Sequence, residues 1–153
     1  MRSTTAIAAL ACLYLLIGVA APAAGQSATA PGGVTVHYSA LSTLELRPEI
    51  ARAYSITRSG ARALLNVAVQ QRQADGTSHA ITATVEAAAT NLAGQRQDLR
   101  LREVRDGEAI YYLAEPRIAA RDTLDFALSV LPEGAAAPIT ERFRQEFFPP
   151  LPR

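Results

Sequence analysis

Arg100, Arg102 and Arg105 form the densest charge group in the sequence. Residues two apart in a strand share a face, so Arg100 and Arg102 are expected to point together, beside Asp98. Guanidinium forks suit bidentate acceptors, which suggests an anion- or carboxylate-binding surface. The plainer alternative is a wet sheet face carrying cross-strand ion pairs, each worth about 0.2–1 kcal/mol. Asn66 lies between Leu64-Leu65 and Val67-Ala68-Val69. A buried amide there needs hydrogen-bond partners or costs roughly 1–3 kcal/mol, so Asn66 either orders a loop end or lines a pocket. Tyr111 and Tyr112 point to opposite faces. One enters the core, and the other packs under a short helix with Tyr54 or is left open to a partner. With His37, these residues give a candidate binding surface of Arg100, Arg102, Asn66, Tyr112 and His37.

Other chemistries find little support. A metal site draws three or four ligands from His, Cys, Asp and Glu. The chain offers only His37 and His79, in different predicted strands, and its single cysteine is Cys12. Ser39, Ser55 and Ser59 sit in no G-x-S-x-G elbow. Glu103 and Glu108 flank one predicted hairpin, where an acid pair reads as solvated surface facing Arg. There is no glycine-rich phosphate loop. No catalytic residue, metal ligand or cofactor is therefore expected.

The elements that would hold these side chains follow a period of two. Val34–Tyr38, Leu64–Val69, residues 81–87, 95–105, 108–114, 124–130 and 143–147 read as seven strands, with turn signals every eight to fifteen residues. Asp106-Gly107 marks a hairpin, read as a type I′ turn with both central residues at positive φ, between 95–105 and 108–114. One segment breaks the period: Pro48–Tyr54 spaces Ile50, Ala53 and Tyr54 along one helical face, which predicts a short helix across an open end of the sandwich. The fold expected is an all-β, immunoglobulin-like two-sheet antiparallel sandwich with one short helix.

The N-terminus sets the compartment. Arg2 precedes Ala6–Ala21, sixteen residues without a charge, and small residues follow through Gly25. That core is short for a membrane span of about 20 residues and matches a cleavable signal peptide over residues 1–25, with cleavage after Gly25 or Ala23. Cys12 leaves with the signal and sits too early for a lipid anchor. A small, polar leader spans 26–33, the sandwich domain 34–148, and a Pro-rich tail 149–153. Without Arg2 the basic and acidic residues are equal in number, and every basic residue is Arg. A balance near zero argues against nucleic acid as a partner.

Val36-His37-Tyr38, Pro48-Glu49-Ile50-Ala51-Arg52-Ala53-Tyr54, Leu65-Asn66-Val67-Ala68-Val69, Asn91-Leu92, Arg102-Glu103-Val104 and Glu108-Ala109-Ile110-Tyr111-Tyr112 resemble, in order, a secreted bacterial family known as domain of unknown function 4426. The resemblance implies a proteobacterial envelope protein, periplasmic in a Gram-negative cell, and it carries over no catalytic residue. The function expected is a non-enzymatic binding or accessory module of the envelope, with an envelope protein as partner and no stable membrane insertion after cleavage. A small-ligand carrier with a pocket between the helix and a sheet end is the second reading, and a hydrolase of unrecognised type the third.

Overall fold

β3 (Ala63–Arg72) is the densest apolar run in the chain, and its two faces explain the rest of the architecture. The computed structural model describes residues 25–148. The expected signal segment, apart from Gly25, and the Pro-rich tail lie outside the described residues. Leu65, Val67 and Val69 point into a core shared with Leu124, Phe126, Leu128 and Val130. Leu64 and Ala68 point the other way, into a second apolar cluster with Tyr111, Leu113, Leu46, Ala51 and Ile56. A strand buried on both faces loses the polar alternation of its neighbours.

The described residues form ten strands: β1 (Gln26–Ala30), β2 (Val34–Ser42), β3, β4 (Ser78–Ala80), β5 (Ala83–Asn91), β6 (Arg96–Leu99), β7 (Arg102–Asp106), β8 (Ala109–Ala114), β9 (Asp122–Pro132) and β10 (Ile139–Phe147). One sheet runs β1-β2-β3-β8-β7, with β4 also on β3, and the other runs β10-β9-β5-β6. Read as A-B-E-D on β2-β3-β8-β7 and G-F-C-C′ on β10-β9-β5-β6, this is the immunoglobulin order expected. The sequence has no tryptophan and one cysteine, so packing rather than a disulfide joins the sheets. Phe126 stacks on Phe143 at 4.7 Å between ring centroids, and Phe143 meets Tyr38 of the other sheet at 4.9 Å.

Four expectations are corrected. Gln26–Ala30 is not a leader but β1, antiparallel to β2 from Gln26↔Tyr38 to Ala30↔Val34. Small polar residues gave no alternation to read, and an edge strand needs only its backbone to pair. The 95–105 strand is two strands in different sheets, with Arg100 and Leu101 making the crossover. Leu99 and Leu101 both pack on the core, so the period runs through the crossing without a break. The hairpin after β7 pairs Asp106 with Ala109, so its central residues are Gly107 and Glu108. Only Gly107 takes a positive φ (58°), the sign pattern of a type II′ turn. Finally, α1 (Pro48–Ala53) does not close an open end. Its Ala51 lies on the outer face of the β3–β8 sheet, because Leu64, Ala68, Tyr111 and Leu113 face outward there and need cover.

Three tyrosines tie polar groups to this frame. The Tyr38 hydroxyl donates to Glu141 Oε2 at 3.4 Å, Tyr54 to Asp106 Oδ2 at 2.7 Å, and Tyr112 to Glu103 Oε2 at 3.3 Å. Burial first, then the carboxylate, raises the pKa of Tyr38 and Tyr54 above that of a free phenol. In Tyr112 burial outweighs the Ala83 amide, which pulls the other way. These groups keep their protons in the folded state where the unfolded chain would lose them. Stability is therefore whole below the ordinary phenol value, about 10, and falls as pH rises above it. Thermal melts across the alkaline range are expected to show that fall, with phenolate absorbance lagging a peptide standard until unfolding. Simple titration of all tyrosines near the ordinary value, before any loss of structure, would contradict it.

Candidate functional site

Where the chain crosses between sheets it opens a recess of about 330 Å3, lined by Gln97, Asp98, Leu99, Arg100, Arg102, Leu113, Ala114, Glu115 and Arg117. Its size lies at the low end of the roughly 300–1,000 Å3 typical of small-ligand clefts. Three elements supply it: β6 and the crossover, the first residue of β7, and the end of β8 with the segment that follows. Gln97 fastens the two sides. Its Nε2 donates to the Arg117 carbonyl at 2.9 Å and its Oε1 accepts from the Arg117 amide at 2.9 Å, so a side-chain amide does the work of a strand.

The charges do not cancel within the recess. Asp98 pairs with Arg96 at 2.9 Å, not with Arg100 or Arg102. Glu115 Oε2 turns toward Arg62 at 3.7 Å and is enclosed without a hydrogen bond. Arg102 is held by donating to the Tyr54 carbonyl at the end of α1. The guanidinium groups of Arg100 and Arg117 have no hydrogen bond or ion pair among the described residues. Both acids of the lining are thus engaged by arginines outside it, and three lining arginines remain uncompensated. Ion-paired wet faces do occur elsewhere: Arg105 meets Glu103 at 2.7 Å, and Arg144 grips Asp125 through Nε at 2.7 Å and its terminal nitrogen at 2.9 Å. The recess does not follow that pattern.

Of the residues singled out from the sequence, the structure brings Arg100 and Arg102 to one cavity, though not by a shared strand face. Asn66 pairs with Leu113 and Ser39 on the outer face of the sheet and is only half-buried. Tyr112 is buried in the main core, where the Ala83 amide donates to its hydroxyl at 2.8 Å. His37 is half-buried on β2 opposite Ala68, on the far side of β3 from the recess. His79 Nδ1 lies 2.8 Å from Gln73 Nε2, on another strand. Among the described residues no three His, Cys, Asp or Glu side chains group as a metal site would require. Gln97, Glu115 and Arg117 were not singled out from the sequence. Arg117 is twenty residues from the glutamine that holds it, and no local pattern links the two.

Asn66 neither orders a loop end nor lines the recess: it lies within β3, and its Oδ1 is buried with no partner. The backbone ladder of β3 on both sides places it there, leaving the side chain among Leu64, Leu113 and Ala68. Replacing it removes a desolvated oxygen and no hydrogen bond. Asn66→Leu is expected to leave the melting temperature unchanged or to raise stability by about 1 kcal/mol. A clear drop in melting temperature would show that the amide is bonded.

The family model for a domain of unknown function, DUF4426, matches residues 28–150. The solved structure of a DUF4426 family protein from Pseudomonas aeruginosa is similar at 32% identity over 82% of this chain and 95% of that one, with a TM-score of 0.67. A copper-bound single-substitution variant of FetP from uropathogenic Escherichia coli is similar at 12% identity over 80% of this chain and 94% of that one, TM-score 0.57. FetP recombinantly expressed in the E. coli periplasm gives 10% identity, 81% and 93% coverage and a TM-score of 0.57. At such identities the likeness to FetP is one of fold. No curated protein matches.

Proposed function

The chain belongs to the DUF4426 family, and on that premise we propose that it is an exported, non-enzymatic binding or accessory module of the cell envelope that meets a protein partner at the crossover recess. One observation carries the reading: both acids in the recess are paired with Arg96 and Arg62 and Arg102 is held by the Tyr54 carbonyl, which leaves Arg100 and Arg117 as open positive charge. Cations that a protein does not satisfy internally suit an outside acceptor. Periplasmic location draws support from the N-terminal pattern of Arg2, an uncharged core and small residues. Among the described residues no helix is long and apolar enough to cross a membrane. A FetP variant is copper-bound, but among the described residues no cluster of ligand side chains supports carrying that chemistry over. The carrier reading placed its pocket beside the helix, where a packed apolar cluster lies instead.

The test is in-cell photocrosslinking. A photoreactive residue at Asp98, on the rim of the recess, is expected to trap one defined envelope protein in the periplasmic fraction. The same residue at Leu92, exposed at the β5–β6 turn, is the control. Identical patterns from the two positions, or a chain retained in the cytosol, would overturn the proposal.

A further inference from the structure

The recess also contains a break in a β-ladder. β7 pairs with β8 as far as Arg102↔Leu113 and goes no further, because the chain before Arg102 belongs to the other sheet. Past Leu113 the strand continues along β3: the Ala63 amide donates to the Pro116 carbonyl at 3.0 Å, and the Ile118 amide to the Ala61 carbonyl at 3.1 Å. In an antiparallel ladder successive residues direct their amide and carbonyl to opposite sides. Arg117 accordingly faces away from β3, where Gln97 meets both of its groups. By the same alternation Glu115 faces away from β3 too. Its amide and carbonyl have no hydrogen bond among the described residues. One rung of the ladder is open, between the strand end at Arg102 and the side-chain amide at Gln97.

Resting on the binding-module reading, we propose that this rung receives the C-terminal residue of an extended peptide. That residue pairs its backbone with the amide and carbonyl of Glu115, and its α-carboxylate lies with the guanidinium groups of Arg100 and Arg117. Two features select a chain end. The gap is closed on one side by Arg102 and on the other by Gln97, so a strand cannot run through it. The uncompensated charge is positive, so the end is the carboxylate rather than the ammonium. Glu115 does not repel it directly, since its Oε2 is turned into the protein toward Arg62. The single main-chain rung at Glu115 fixes the last residue in place, and charge-assisted bonds to arginine add affinity and selectivity for the free acid.

The probes are N-acetylated Ala-Ala-Xaa tripeptides, with Xaa varied over all residue types, each as free acid and as C-terminal amide, titrated into the exported chain. Nuclear magnetic resonance is expected to show the Glu115 amide among the most shifted signals, and its hydrogen exchange slowed. Amidation is expected to weaken binding by about tenfold or more. Combined Arg100→Gln and Arg117→Gln is expected to do the same with an unchanged melting temperature. Arg142→Gln, an exposed arginine of β10 away from the recess, serves as charge control and leaves binding intact. Equal binding of acids and amides, or no shift at Glu115 with any tripeptide at about 10 mM, would overturn the inference. A partner adduct at Asp98 that survives loss of both arginines would overturn it too and leave the binding-module reading standing. Loss of the adduct from the native chain, with acids still binding at Glu115, would sink the partner reading alone.

Discussion

Phe126→Ala is expected to cost about 3–5 kcal/mol, the range for removing a large aromatic side chain from a core that cannot collapse around the gap. Phe126 is 1% exposed and sits at the centre of β9. It stacks on Phe143 with only 10° between the ring planes, and Phe143 in turn reaches Tyr38 across the sandwich. The site is walled by paired strands: Phe126 is opposite Ala89 on one side and Phe143 on the other. Those ladders hold the backbone in place when the ring is lost, so relaxation can recover little. A domain of ordinary stability has about 5–15 kcal/mol in all, and the substitution removes a large part of it. Thermal melts are expected to fall by roughly 10–25 °C, measured beside Leu92→Ala, whose side chain is 73% exposed and whose loss should shift stability by less than about 0.5 kcal/mol. A Phe126→Ala protein within about 1 kcal/mol of the parent would mean that the sheets are not joined through this ring.

The period-two pattern that placed Phe126 inside was legible from the sequence. So were the all-β architecture, the short helix and the family. What escaped was information that no local window holds. Arg100 and Arg102 were read as one strand face because Leu99 and Leu101 keep their period through the crossover, and only the sheet pairing shows that the chain changes sides there. The charge state of the recess was equally hidden. The sequence sets Asp98 beside Arg100 and Arg102, but it is Arg96 that engages it. Arg62 and Glu115 come together where the β3–β8 ladder continues past the strand ends, over a separation that composition cannot reveal. β1 was missed for a different reason. Gln26–Ala30 has no large apolar side chain, and its strand character comes from pairing with β2 rather than from its own residues.

Thr43 is the other position at which a single substitution should have a large effect, and its chemistry is that of a strut. Residues 43–62 cross the outer face of the sheet and deliver Leu46, Ala51 and Ile56 to the second apolar cluster. The strap is pinned at Thr43, which is fully buried despite its hydroxyl. Oγ1 accepts from the Ser59 amide at 2.9 Å and has two carbonyls in reach for its one proton, Ser59 at 3.0 Å and Arg62 at 3.1 Å. The Thr43 amide also donates to the Arg62 carbonyl at 3.1 Å, so that carbonyl keeps a partner whichever way the hydroxyl turns. Valine has the same shape without the oxygen. Thr43→Val therefore keeps the packing and strands the Ser59 amide at a part-buried position, at a cost of about 2 kcal/mol. Thr43→Ser keeps the hydroxyl and loses one methyl, which should cost about 1 kcal/mol. Hydrogen exchange locates the damage: the Ser59 amide should exchange faster in the valine protein while the β9 amides around Phe126 follow global stability. The order of the two variants is decisive. If valine proves the milder change, the strap is held by apolar contact alone and the hydroxyl is incidental.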